Sequence, residues 1–532
     1  MCRMFSCPSN YVSRLLFCFV ALACTASAVP LQAEVARFSA MLAGGQRIEG
    51  ERLTEWHQRA KLPRLDNKEL MNEGNPLIWL RDRQLQPGKT PSAYVETISG
   101  DRLPGEVVQH VRSDSPGQWE SLPAHFVVAP SVDVYPPRAK ARPPVRVVER
   151  YVRRIVWQAR PGSERYQPGT VFLKDGRTMQ FRAARFTPEG VKVLQATEQQ
   201  QLAFADISQL HLPAADPWES YYDELAILSP ECEDRLLQID SVDGLIATGS
   251  MLQFMATSGG NAGDSDNWFH GVQPAWSLDV LWMRNNKIWM RRGWRPEAVP
   301  LSHIAPNGSE SSSMIVKGPR SWKRNFSVAG APLQSAKGDF GWGFGVHAYS
   351  ELHFPLPLMA TAFRTRVGLD ESVGEGGCVI ARVFADSVES QPLNQSPHLV
   401  GSAQLHDSQN LNITAHAKEG KSLILQIDPA HNGRPAKADP LDIRDRTDWL
   451  DPVVMLESDQ LLAEVASRRA SRVPAFDGWQ LVLAADGEYK FRSDLQREDS
   501  SHSGSFRPQI SVRTQQLFLR RKLNVGPQHQ WL

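Results

Sequence analysis

Short stretches in which apolar and polar residues alternate recur along the chain, separated by Gly, Pro, Asn and Asp, while sustained 3.6-residue periodicity is scarce. An all-β fold follows. Four turns repeat one theme, an apolar strand, a Gly-containing turn and a second strand: Gly45-Gln46-Arg47-Ile48-Glu49-Gly50, Gly100-Asp101-Arg102-Leu103-Pro104-Gly105, Asp175-Gly176-Arg177-Thr178-Met179-Gln180-Phe181 and Asp243-Gly244-Leu245-Ile246-Ala247-Thr248-Gly249. Each reads as a hairpin nucleus, because Gly adopts the positive φ that tight hairpin turns demand. In the third, Phe172 and Leu173 are expected to pair with residues 180–182. One hairpin buries too little apolar surface to stand alone, so several should close into small β-barrels or stack. Helices are expected only at residues 54–62, 217–228 and 458–467, the last with Leu461, Leu462, Val465 and Ala466 on one face.

Between the second and third hairpins, residues 130–154 carry Pro136-Pro137, Pro143-Pro144 and seven basic residues from Arg138 to Arg154, which predicts an extended, solvated linker. A second polar linker is expected at 306–316. The resulting organisation is multidomain: hairpin-repeat regions at 29–129 and 155–305, a further module at 317–457 and a β extension at 458–532, where residues 481–492 read as a hairpin and 510–513 with 517–521 as a strand pair. Trp268, Trp276, Trp282, Trp289 and Trp294 crowd one segment, and residues 277–284 and 287–292 should form a hairpin around Asn285-Asn286. Core filling of a small barrel explains these rings better than an exposed aromatic strip.

Composition narrows the function classes. Arg3 and Arg14, the apolar run 15–23 and Ala26-Ser27-Ala28 follow the order of a secretory signal peptide over residues 1–28, so an exported protein is expected, in the periplasm, at the surface or in the medium. That run is too short to span a bilayer, which leaves no transmembrane segment; Cys24 in a poor lipobox context argues against a lipid anchor. Removing 1–28 leaves 57 basic and 58 acidic residues, a net charge of −1 that selects for no nucleic acid. Only Cys232 and Cys378 remain, read as small buried residues rather than a disulfide.

The segment 317–457 contains Gly343-Phe344-Gly345-Val346-His347-Ala348, Val367-Gly368-Leu369-Asp370-Glu371 and Asp448-Trp449-Leu450-Asp451-Pro452 in that order. In order and spacing it resembles the NPCBM family of carbohydrate-binding modules. The resemblance implies a galactose-binding-like, jelly-roll β-sandwich, a polysaccharide or glycoconjugate as partner, and Trp342, His347, Asp370, Asp448 and Trp449 as sugar-binding candidates: aromatic faces for C–H groups and fixed polar groups for hydroxyls. The competing reading makes His347 and Asp370 buried hydrogen-bonding ties between loops and Trp449 a core residue. The polar stretch 428–442 is longer than the family pattern.

Gly343-x-Gly345-x-x-Ala348 also spells a dinucleotide fingerprint, but Pro355 and Pro357 forbid the helix it must open. Motifs for zinc hydrolysis, serine nucleophiles, phosphate loops and zinc-binding cysteines are missing, so no catalytic residue, metal ligand or cofactor is assigned. Loop carboxylates such as Asp370, Glu371 or Asp386 could hold a structural calcium, without the spacing of a calcium loop. The expectation is an exported, non-catalytic carbohydrate-binding protein; the alternatives are a structural component that binds envelope proteins, and a glycosidase.

Overall fold

A computed structural model describes residues 36–56, 62–113, 122–137, 139–159, 165–196, 198–251, 255–258, 267–315, 318, 320–472, 479–483, 487–489 and 517–521. The expected signal peptide lies outside these residues. All four Gly-containing turns form hairpins, with Gly45, Gly100, Gly176 and Gly244 at φ of 78°, 91°, 101° and 83°. Their strands pair Phe38–Leu42 with Arg47–Gly50, Tyr94–Thr97 with Arg102–Val111, Thr170–Leu173 with Thr178–Gln180, and Leu236–Ser241 with Ile246–Ser250. In the third, Thr170 rather than Phe172 faces Gln180.

The hairpins do not close into small barrels. They join edge to edge in one 14-stranded sheet. Ile246 pairs with Arg102, Leu236–Ser241 with Ile288–Trp294, and Ile288–Trp294 with Leu77–Asp82. The second and fourth hairpins pair directly, and the first and third join through intervening strands, so inner hairpin edges are covered as barrel closure would otherwise require. Residues 145–154 of the expected linker are part of the same structure. Val145–Val148 pairs with His125–Pro130, and Val152–Val156 lies between Ile207–His211 and Tyr94–Thr97. Three of its basic residues are engaged rather than solvated: Arg153 and Arg154 are buried against Glu96, and Arg146 grips Asp279 at 2.6 Å, whereas Lys140 and Arg142 are exposed.

Asn285–Lys287 is a short 3-10 turn whose flanking strands diverge: Leu281–Arg284 pairs with Trp268–Val272, not with Ile288–Trp294. Trp276, Trp289 and Trp294 are buried. Helix α1, Pro217–Leu228, starts on Asp216, whose carboxylate accepts from the Trp218 amide at 2.8 Å, with Pro217 in the first turn. The helix expected at 54–62 is absent at its start, where Leu53–Thr54 is a strand; residues 57–61 lie outside the description.

Residues beyond 297 build a two-sheet sandwich. The first sheet contains Gly343–His347, Arg446–Leu456 and Ala360–Leu369, flanked by Lys323–Arg324 and Leu405–Asp407, with Ala298–Pro300 on Arg446–Leu456. The second runs Gly308–Ser311, Ser350–Pro355, Ser422–Asp428, Cys378–Ala385, Asn394–Gln395. Gly308–Ser311, within the expected linker 306–316, is therefore an edge strand. Helix α2 is Thr414–Lys418 and α3 is Ser458–Arg472, which buries Leu461 and Val465 but exposes Leu462. Arg468 ties α3 to α1 through Glu219 and Asp223 at 2.6 and 3.0 Å. Trp479–Leu483 pairs with Gly487–Tyr489 and with Leu517–Arg521, whereas 510–513 lies outside the described residues.

The large sheet and the sandwich share an interface of close contacts. Trp294 meets Trp342 edge to face at 5.4 Å, Arg292 donates to the Gly341 carbonyl at 2.6 Å, and Trp218 donates to the Pro355 carbonyl at 2.7 Å. A Cβ on Gly341 would lie 2.4 Å from the Trp79 ring, so only glycine fits there. The described residues from Arg37 onward accordingly form one compact unit.

Candidate functional site

Gly343 and Gly345 put the strand Gly343–His347 where it is. A Cβ on Gly345 would lie 2.3 Å from the Val328 amide nitrogen and 2.4 Å from the Phe326 carbonyl, so the glycine lets the loop 325–328 lie directly on the strand. The strand ends at His347, which is paired in register with Arg446. The two residues meet at one end of the sandwich, among the segments 312–315, 370–377 and 429–445.

His347 is buried, and its Nδ1–H donates to the Ala348 carbonyl at 2.7 Å, which fixes the tautomer and leaves Nε2 as an acceptor. Burial, together with the Arg320 and Arg446 charges, pushes its pKa down, so the neutral form prevails near pH 7. Around it, Arg320 donates to Ser313 at 2.9 Å and lies 3.9 Å from Asp442, and Arg446 approaches Ser372 at 3.4 Å. Burial raises the pKa of Asp442, but donation from Ser313 at 2.5 Å and from the Met314 amide at 3.2 Å outweighs it and holds the group below its usual value. Asp445, one turn away, is pushed up to about 6 by burial although Arg434 and the Cys378 amide donate to it. The end therefore offers one acceptor nitrogen and two guanidinium groups on a frame braced by buried carboxylates.

Asp370 and Asp448 lie beneath this end. Asp370 caps the turn Glu371–Val373, accepting from the Ser372 amide at 2.9 Å. Asp448 is paired with Gly345 on one side and Gly368 on the other, and its carboxyl is fully buried. Burial, then the charge and hydrogen bonding of Asp370, raise its pKa well above the usual carboxylate value, which favours the protonated form of Asp448 beside Asp370. The pair pins the 371–373 turn to the central strand.

Of the five sequence candidates, the structure brings His347 to the loop end and places Asp370 as its support. Trp342, Asp448 and Trp449 are interior: they are 2%, 0% and 1% exposed and show no face to a ligand. Trp342 fills the interface with the large sheet, and Trp449 is paired with Phe344 and Val367 inside the sandwich. Arg320, Arg446, Asp442 and Ser313 were not among the candidates, although Asp442 closes the long polar stretch 428–442. Half-buried Tyr349 is the aromatic side chain next to His347; it donates to Glu351, and Gln426 donates to its hydroxyl at 3.2 Å. Asp386 sits at the far end of strand Cys378–Ala385 from Asp370 and Glu371, so these carboxylates are not gathered. Among the described residues no group of three or more His, Cys, Asp or Glu side chains is placed to hold a metal ion. Cys378 is buried and Cys232 half-buried; both are free.

Residues 299–455 match the NPCBM/NEW2 domain family, so the chain carries that domain there. Among solved structures, it is similar to CBM51 from Clostridium perfringens GH95 in complex with methyl-galactose, at 19% identity and a TM-score of 0.24, covering 30% of this chain and 99% of that one. It is also similar to the CBM51-2 and INT domains of Clostridium perfringens ZmpB in complex with GlcNAc, at 18% identity and a TM-score of 0.24, covering 40% of this chain and 43% of that one. No curated protein sequence matches the chain. No helix among the described residues is long and apolar enough to cross a membrane.

Proposed function

We propose that the sandwich is a carbohydrate-binding module that holds a neutral sugar at its loop end without transforming it, in an exported protein whose partner is a polysaccharide or glycoconjugate. The observation that carries this reading is the match of residues 299–455 to a carbohydrate-binding-module family. The donor set is consistent with it. His347 Nε2 accepts from one hydroxyl, while Arg320 and Arg446 donate to others, and fixed polar groups of this kind give a sugar its orientation. Binding rather than turnover is supported because the carboxylates at this end are committed as braces: Asp442 to Ser313 and the Met314 amide, Asp445 to Arg434 and the Cys378 amide.

Glycan-array binding by the full chain tests the proposal. The expected result is retention on a defined set of glycans, with Arg446→Ala and His347→Ala each raising Kd at least tenfold. Retention by neither wild type nor variants, or equal retention by all three, refutes it. Export is tested separately by cell fractionation and N-terminal sequencing of the mature chain, with Val29 as the expected first residue.

A further inference from the structure

A groove of about 590 Å3 lies between the large sheet and the small sheet formed by Ala183–Thr187, Gly190–Leu194 and Gln199–Ala203, with no residue of the sandwich in its lining. Its floor is an aromatic pair. The half-buried indole of Trp157 stacks on Phe204, with centroids 5.2 Å apart and planes 29° apart. The indole cannot swing away, since its Nε1–H donates to the Val107 carbonyl at 2.9 Å. The walls are fixed by backbone bonds as well: the Trp157 and Gln158 amides both donate to the Ser208 carbonyl, the Phe204 amide to the Glu189 carbonyl, and the Lys174 amide to the Asp206 carbonyl. Strand Arg102–Val111 shifts register between Val107 and Gln109, and the extra residue, Val108, is 48% exposed at the rim. Bulges of this kind re-aim side chains beside binding sites.

Around the floor stand Glu106, Gln158, Lys174 and Glu189, all exposed. Their side chains make no hydrogen bond among the described residues, unlike the braced carboxylates at the loop end of the sandwich. We propose that this groove is a second saccharide site, which binds a neutral pyranose ring against Trp157. A pyranose has an apolar C–H face to lay on an indole and a rim of hydroxyls that both donate and accept. Glu106 and Glu189 accept, Lys174 donates, and Gln158 does both. The volume falls in the range of small-ligand sites, roughly 300–1,000 Å3. One cation against two carboxylates leaves a negative balance that disfavours uronic acids, sulfates and phosphates. A purely apolar ligand would leave all four polar side chains unmatched.

Affinity electrophoresis of the full chain through gels containing galactomannan, arabinoxylan, xyloglucan or mixed-linkage β-glucan, with polygalacturonate as the anionic comparison, tests the site. The expected result is retardation by at least one neutral polymer that survives Arg446→Ala, a change at the loop end of the sandwich. In Trp157→Ala and in the double variant Gln158→Ala/Lys174→Ala the same retardation weakens at least tenfold in Kd. The double variant alters only exposed side chains, so its circular dichroism and melting temperature should match the wild type, and its result stands even if Trp157→Ala folds poorly. Free migration in every neutral polymer, retardation by polygalacturonate alone, unchanged retardation in the double variant, or complete loss of retardation in Arg446→Ala overturns the proposal. The last of these outcomes leaves the loop-end site standing.

Discussion

Glu96 is held ionised by a cluster of arginines, and replacing it with Gln gives a quantitative test. Its carboxylate accepts from Arg154 Nε and from a second Arg154 nitrogen at 3.1 and 2.7 Å, and Arg153 lies at 3.8 Å. Burial pushes its pKa up, yet the charges of Arg154, Arg153, Arg102 and Arg324 win and lower it from 4.5 to about 2. Its side chain is 11% exposed, so solvent screens the pairs little. At 1.36 kcal/mol per pKa unit, the ionised form is worth about 3 kcal/mol at neutral pH. Because the folded-state value lies below the unfolded one, that contribution is complete above about pH 5 and fades as pH falls toward 2; at pH 3 about 1.4 kcal/mol remains. Arg324 belongs to the sandwich and donates to the Ser99 carbonyl of the large sheet at 2.5 Å, so the loss falls on the junction between the two. Urea unfolding followed by tryptophan fluorescence at pH 7 and pH 3 reads both numbers. Glu96→Gln should cost about 3 kcal/mol at pH 7, within the range for breaking a buried ion pair, and roughly half that at pH 3. A loss below 1 kcal/mol at pH 7, or one equal at both pH values, refutes the reasoning.

Three further outcomes follow from the sandwich. Asp448→Asn keeps a neutral hydrogen-bond donor beside Asp370. Since the raised folded-state pKa makes the wild type lose stability as pH rises above the unfolded carboxylate value, the variant should melt at an equal or higher temperature at pH 8; a melting temperature several degrees lower contradicts a protonated Asp448. Gly345→Ala should destabilise by several kcal/mol in thermal unfolding, because the new Cβ meets backbone atoms at 2.3 and 2.4 Å that no rotamer change can clear; an unchanged melting temperature contradicts the close approach. Sugar binding at the loop end should be constant from pH 8 to pH 6.5 and weaken only on acidification, as His347 Nε2 takes up a proton and ceases to accept; calorimetric titration across pH 8 to 5 with a retained glycan shows whether it does.

What could be read in the chain divides along the line between local and non-local causes. Each of the four hairpins is specified by one glycine in its own turn, and Gly45, Gly100, Gly176 and Gly244 all take the positive φ that the sequence demands of them. The order of those hairpins in the sheet is not local: Ile246 finds Arg102 and Leu236 finds Trp294 across dozens of residues, and nothing in a hairpin names its neighbour. The segment 130–154 misleads for a related reason. Its prolines and arginines have the composition of a solvated linker, but Val145, Val147, Val148 and Val152 are buried and Glu96, far away in sequence, neutralises Arg153 and Arg154. The binding end shows the same split. His347 stands in a motif whose glycines fix the strand and is legible, whereas Arg320 and Asp442 reach it from loops more than a hundred residues apart. Trp342 and Trp449 were chosen for the chemistry of their rings, but residue type does not say which face of a sheet a ring occupies. Their burial is set by non-local packing: Trp342, just before its strand, meets Trp294 of the large sheet, and Trp449 lies in a run of consecutive buried residues opposite Phe344, whereas Trp157, just past a strand end, lines a groove and stays half-exposed.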